Sequence, residues 1–132
     1  MARTYLAGRI EASRTIALLA LGDLLALVVF AALGEYRHAG TVASTVETAL
    51  QFGVGWLVVA VLAGAYGPRA LERPGRAVAL GVGAWAVGSL VGALVRVATE
   101  PGAGISAVFV LVTAGVGAVI FGLWRGIAAR VL

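Results

Sequence analysis

Few side chains in this sequence are able to do chemistry, and most of those sit where charge is costly. Asp23 stands in the run Ala17–Val29, with only apolar residues and Gly22 around it. It lies roughly 12 Å past the start of that run at 1.5 Å per residue. A carboxylate at that depth in an apolar segment must face other helices or water, and burial raises its pKa into a titratable range. Counting inward along the other apolar runs puts Trp56 and Trp85 at nearly the same depth, with Gln51, Ser89 and Thr113 somewhat further out. Two indole N–H donors and a hydroxyl are therefore expected to converge on the Asp23 carboxylate. Two readings follow: a proton- or cation-responsive site, or a hydrogen-bonded Asp that fixes helix register.

A second group, Glu35, Arg37, His38, Glu47, Arg96 and Glu100, gathers at the opposite ends of the apolar runs. Arg96 continues the Ala84, Gly88, Gly92 stripe at four-residue spacing and is expected to point inward, with Glu35, Glu47 or Glu100 to pair with it. His38 is of the side-chain type whose ordinary pKa lies nearest neutral pH. Such a rim either attracts a small ion or is a solvated helix end. Ser44-Thr45-Val46-Glu47 reads as a capping box, which gives Glu47 a purely structural account.

Much other chemistry is excluded. The chain has no cysteine and a single histidine, so thiolate metal sites, multi-histidine sites and Ser-His-Asp arrangements lack their parts. No metal or cofactor is expected, and no enzymatic activity. Gly53-x-Gly55 and Gly81-x-Gly83 lie inside apolar runs without a preceding strand or a following lysine, and are not nucleotide loops.

The elements that must position these residues follow from composition. Apolar residues make up 61% of the 132 and charged residues 12%, against about 45–50% and 25% in soluble domains. Four apolar runs of about twenty residues appear, at 15–34, 44–65, 77–98 and 105–124. In lipid each must satisfy its own backbone, so each is a helix. Short links around Arg37–Gly40, Gly67–Gly75 and Glu100–Gly102 make neighbours antiparallel. The expected architecture is an all-α, four-helix, up-down-up-down transmembrane bundle forming a single domain over 1–132.

All ten basic residues are arginine. Arg3, Arg9, Arg14, Arg69, Arg73, Arg76, Arg125 and Arg130 fall on one side and Arg37 and Arg96 on the other. Eight against two predicts both termini in the cytoplasm of a multi-pass plasma-membrane protein. Trp124 and Tyr66 then fall at the inner interface and Tyr36 at the outer one. The high pI is explained by topology, and nucleic acid is not expected as a partner. Asp23 interrupts the apolar core that a cleaved signal peptide would need. Residues 1–13 have the pattern of a short interfacial helix.

An offset of 62 residues aligns Arg14 with Arg76, Gly40 with Gly102, Ser44 with Ser106, and Gly53-Val54-Gly55 with Gly115-Val116-Gly117. This reads as two helical hairpins in parallel repeat, or as shared composition alone. Small residues recur every four positions at Ala84/Gly88/Gly92, Ala114/Ala118/Gly122 and Ala60/Gly64. These stripes suit close helix packing and provide faces for a homo-oligomer or a larger membrane complex.

The pattern Gly22-Asp23-Leu24-Leu25-Ala26, Phe30-Ala31-Ala32-Leu33-Gly34 and Arg37-His38 resembles a prokaryotic membrane family, domain of unknown function 3054. Arg96, Phe109-Val110 and Gly122-Leu123-Trp124-Arg125 fit it too, while Glu35-Tyr36 departs from the basic pair expected there. The resemblance spans about Gly22 to Arg125. It implies four membrane helices and a recurring Asp, Gly, Arg and His set, and supplies no activity. The expected function is a small membrane protein that binds or passes a small solute or ion through Asp23, Trp56, Trp85 and Thr113, with Arg96, His38 and Glu35 at the mouth. The alternative is a non-catalytic accessory or structural subunit that binds a larger complex or lipid.

Overall fold

In the computed structural model, which describes residues 10–37 and 40–132, the chain runs through four helices: α1 (Arg14–Arg37), α2 (Val42–Ala63), α3 (Pro74–Thr99) and α4 (Ala107–Val131). Each is long and apolar enough to cross a membrane. The spans match the expected ones within a few residues except at the end of α4, which continues to Val131. Residues 10–13 are not helical. Ile10 instead pairs its backbone with Tyr66 in a single parallel bridge, and the Glu11 N–H donates to the Tyr66 carbonyl at 2.8 Å. The rest of the expected interfacial helix lies outside the described residues.

The helix ends follow local chemistry. Ser106 caps α4 by accepting from the Phe109 N–H, and Pro74 opens α3 at a position whose N–H would have no helical partner. At α2 the capping box is one turn earlier than the sequence suggested. Thr41 is the cap and accepts from the Ser44 N–H, while the Ser44 hydroxyl accepts from the Thr41 N–H at 2.8 Å. Ser44 therefore does what Glu47 was expected to do, because a serine three residues after the cap already closes the box. Thr41→Ala is expected to cost about 1 kcal/mol in thermal unfolding, and Glu47→Ala to leave stability within about 0.5 kcal/mol. Gly64 ends α2 with φ +83°, a left-handed conformation that glycine adopts without strain. Gly64 is thus a stop signal and not part of a packing stripe.

The helices pack in ring order, α3 against α2 and α4, and α1 against the other sides of α2 and α4. The Ala84/Gly88/Gly92 stripe of α3 is buried inside the protomer. A Cβ on Gly55 would collide with the Gly88 carbonyl oxygen and lie 2.7 Å from the Gly92 nitrogen, and one on Gly92 would meet Phe52 at 2.6 Å. Here the α2 and α3 backbones touch. On α4 the buried stripe is Thr113, Gly117, Phe121 and Arg125, one residue before the expected Ala114/Ala118/Gly122. The two interfaces that a parallel repeat would make equivalent also differ: α2–α3 is closed by backbone contact, α4–α1 by the Trp124 ring lying on Gly22.

Outward faces are Leu and Val, with Leu25, Leu50, Leu111 and Leu123 among the exposed side chains. The interior holds an aromatic column. Trp56 stacks on Phe121 at 4.2 Å, Phe121 on Trp85 at 5.1 Å, and Trp85 meets Phe30 edge-on at 4.7 Å. Phe30 then contacts Phe52 at 5.5 Å, and Phe52 reaches Phe109 at 6.3 Å. A membrane protein has apolar surfaces outside by necessity, so its few buried polar groups carry the information.

Candidate functional site

Those groups centre on Asp23. It projects from α1 and is 1% exposed. Its partner is Arg125 of α4, fully buried, which binds the carboxylate with two nitrogens: Nη2 to Oδ2 at 2.6 Å and Nε to Oδ1 at 3.1 Å. This is the bidentate fork geometry in which guanidinium and carboxylate match best. The remaining nitrogen, Nη1, donates to the Ala65 carbonyl at 2.8 Å, just past the end of α2. The guanidinium also lies 5.2 Å from the Tyr66 ring centre and 5.5 Å from that of Trp56, within cation–π range.

Tyr66 completes the cluster. Its hydroxyl donates to Asp23 Oδ2 at 2.6 Å and accepts from the Trp56 indole at 2.9 Å. The backbone of the same residue holds Ile10 and Glu11. The α2–α3 connection is folded inward, with Ala65, Tyr66 and Ala70 buried. The carboxylate, guanidinium, phenol and indole thus tie α1, α2, α4, the loop and the segment before α1 at one end of the bundle.

Burial, and next the Asp23 carboxylate beside it, push the Tyr66 phenol above its ordinary pKa of 10.0. Tyr66 is then a neutral donor at every ordinary pH. A raised folded pKa means that the unfolded chain releases the phenolic proton first, so stability is lost as pH rises beyond about 10. Tyr66→Phe is expected to cost about 1–2 kcal/mol by removing two buried hydrogen bonds. It is also expected to flatten that alkaline decline, both read from thermal unfolding across pH.

The structure brings together only part of the expected set. Trp56 reaches Asp23 through Tyr66. Trp85 does not, since its indole donates to the Thr113 backbone carbonyl at 3.0 Å, joining α3 to α4 two contacts along the aromatic column from Trp56. A Cβ on Gly117 would collide with the Trp85 ring. Thr113 therefore contributes a carbonyl to this contact.

At the far end Arg96 is half-buried, pairs with Glu100 at 3.2 Å and lies 5.0 Å over the Phe109 ring. Glu35 accepts from the Thr48 hydroxyl at 2.7 Å. Gln51, 5% exposed, directs its amide nitrogen toward Thr99 and Glu100 at 3.4 Å, and its Oε1 has no hydrogen-bond partner. His38 lies outside the described residues.

Arg125 and Tyr66 were not singled out by the residue types alone. Both read as interfacial because they follow or end apolar runs. The signal for Arg125 was its spacing, four residues from Phe121 and eight from Gly117 on one helix face. No comparable periodicity marks Tyr66, which reaches the core from a loop.

Four apolar helices around a sealed internal ion pair define a multi-pass helical membrane protein. The chain belongs to the family described as Protein of unknown function (DUF3054), whose model matches residues 20–128. That match takes in Asp23, Tyr66 and Arg125. No curated protein and no solved structure matches the chain.

Proposed function

We propose that this protein is a non-catalytic accessory or structural membrane subunit, a rigid four-helix body that supports a larger membrane assembly or its own oligomer. The observation that carries this reading is the Asp23–Arg125 pair. The acid of α1 has its oxygens bonded by Arg125 and Tyr66 and is 1% exposed. The aromatic column from Trp56 to Phe109 fills the space beyond it. A carboxylate that exchanges ions needs a wet route and an unfilled coordination site. Asp23 is 1% exposed, and both of its oxygens already accept hydrogen bonds.

The alternative, binding of a small polar solute, is favoured by one observation at the opposite end, the unpartnered Oε1 of buried Gln51 beside Arg96, Glu100 and Thr99. The plasma membrane and cytoplasmic termini belong to the same proposal. With Arg125 buried in an ion pair, the arginines at the two ends still stand at seven against two, which supports that orientation.

Proteoliposome flux separates the readings. The subunit reading expects no proton or cation flux above protein-free vesicles, and no change on Asp23→Asn. Its positive arm is affinity purification in mild detergent, expected to recover a defined oligomer or a membrane partner. Flux that disappears in Asp23→Asn, in a variant that remains folded, would overturn it.

A further inference from the structure

The end of the bundle where α3 begins carries a hollow of about 510 Å³ lined by Arg73, Gly75, Arg76, Ala79 and Leu80. Its two arginines have no acid to answer them. Among the described residues the ion pairs are Arg69–Glu72, Arg96–Glu100 and Asp23–Arg125, and neither Arg73 nor Arg76 is in one. Glu72, next to Arg73 in the chain, is held by Arg69 at 2.8 Å. The Arg76 guanidinium is also fixed in place. Its Nε donates to the Arg69 carbonyl at 3.0 Å, which leaves both terminal nitrogens for another acceptor. The hollow is open above Gly75, where an added Cβ would meet no atom within 4 Å. Helix α3 has no side-chain cap and no acid in its first turn, so its N-terminal end adds partial positive charge at the same place.

We propose that this hollow holds the phosphate of an anionic lipid headgroup between Arg73 and Arg76, with the start of an acyl chain against Ala79 and Leu80. Such a site goes beyond the subunit reading and does not depend on it. Charge selects an anion, because two guanidinium groups without a carboxylate face one hollow, and arginine matches phosphate oxygens with paired N–H donors. Position selects a lipid among anions. Arg73 precedes the first residue of α3, whereas Ala79 and Leu80 lie roughly 8 to 9 Å inside the helix at 1.5 Å per residue. The hollow therefore has a charged end at the membrane surface and an apolar end within the span. A soluble anion would use only the first. The exposed Val and Leu along α3 and α4 would suit any neighbouring helix and do not choose the occupant; the arginines do. A second copy in the same orientation would bring Arg14, Arg69, Arg73, Arg76 and Arg130 to this level against Glu11 and Glu72, and Glu72 is already paired. Like charge would meet like there. Clustered arginines beside a membrane helix attract anionic headgroups.

Native mass spectrometry of the full chain, released from nanodiscs of equal phosphatidylglycerol and phosphatidylcholine, tests the site. The expected result is one phosphatidylglycerol retained per protomer in preference to phosphatidylcholine. Arg73→Gln with Arg76→Gln is expected to weaken that retention about thirtyfold. The deciding control removes the same charge from the same end but outside the hollow. Arg14→Gln with Arg130→Gln, both exposed, should lower retention by less than about threefold, through screened long-range attraction only. If the two pairs lower it equally, general surface charge attracts the lipid and the proposal is overturned. Gly75→Leu, whose Cβ clashes with nothing and whose side chain fills the hollow, should lower retention while unfolding as the parent does. Undiminished retention in that variant overturns the proposal, as does equal retention of both lipids by the parent. Unfolding in maltoside micelles separates the sources of phosphate. Short-chain phosphatidylglycerol should raise the midpoint, and inorganic phosphate at the same concentration should not; an equal rise with both would mean a soluble-anion site and overturn the lipid reading. A membrane protein that co-purifies with the parent but not with the Arg73→Gln, Arg76→Gln variant, with no preference for phosphatidylglycerol, would mean that an acidic partner fills the hollow, and would overturn it too.

Discussion

Arg125→Met is expected to destabilise the protein by about 3–5 kcal/mol, because it removes one partner of a buried ion pair and leaves the other uncompensated. Methionine keeps most of the volume and the flexible stem, so the loss reports the charge and not a cavity. Three hydrogen bonds disappear together: two to Asp23 and one to the Ala65 carbonyl. The Asp23 carboxylate, 1% exposed, then keeps the Tyr66 hydroxyl as a donor but has no cation beside it. Asp23→Leu is expected to cost a similar amount for the mirrored reason, a buried guanidinium without its carboxylate. The double variant Asp23→Leu, Arg125→Met is expected to recover a large part of the loss, since replacing both members of a buried pair by apolar groups is often close to neutral. Arg130→Met, on an exposed side chain five residues further on, serves as the control and should stay within about 0.5 kcal/mol. Unfolding by denaturing detergent titration in bicelles measures all four. A single Arg125→Met variant as stable as the Arg130 control would mean that the pair does not hold the bundle together. Activity need not be known for this cycle, which reports directly on whether the pair holds the four helices together.

What was legible in the sequence, and what was not, divides by the range of the interaction. Four spans, their order and their short connections are local properties of apolar runs and turn residues, and they emerge correctly. Asp23 was legible as the residue of greatest interest because a lone carboxylate in an apolar run violates a simple solvation rule. Its partner was not, since Arg125 lies 102 positions away and ends an apolar run, where an arginine is also expected for topology. The competing explanation was correct for Arg130 and wrong for Arg125. Only the helical phase separates them: Arg125 continues the buried Gly117/Phe121 row and Arg130 leaves it. The expected Ala114/Ala118/Gly122 stripe lies one residue out of phase with that buried row. The same four-residue spacing runs on to Arg96 in the last turn of α3, where the side chain is 32% exposed and pairs with Glu100. Tyr66 illustrates a different limit. It is held by a loop in which the Ala65 carbonyl meets Arg125, a contact that has no sequence signature.

Gly55 is expected to be the least replaceable glycine among the described residues. Gly55→Ala should cost about 1–3 kcal/mol, and Gly55→Leu more, through overpacking. The reason is what the added carbon meets. At Gly55 the neighbours are the Gly88 carbonyl oxygen and the Gly92 nitrogen, backbone atoms of a helix that has no side-chain rotamer to give. The only relief is to move α3 away from α2, which also withdraws Gly88 from Trp56 and Gly92 from Phe52. In lipid, where helix association rests on packing and not on exclusion of water, that separation has little to offset it. Two other glycines isolate this effect from helix propensity. A Cβ at Gly83 would meet nothing within 4 Å, so Gly83→Ala should be neutral or stabilise by up to about 1 kcal/mol. At Gly53 it would come 3.0 Å from Leu27 Cδ2, the end of a flexible side chain that is able to turn aside, so Gly53→Ala should fall between the two. The predicted order of stability is Gly83→Ala, then Gly53→Ala, then Gly55→Ala, read by the same detergent titration. If Gly55→Ala unfolds with Gly83→Ala, the α2–α3 contact is loose in the membrane. The bundle would then be held by the Asp23–Arg125 clasp at one end alone.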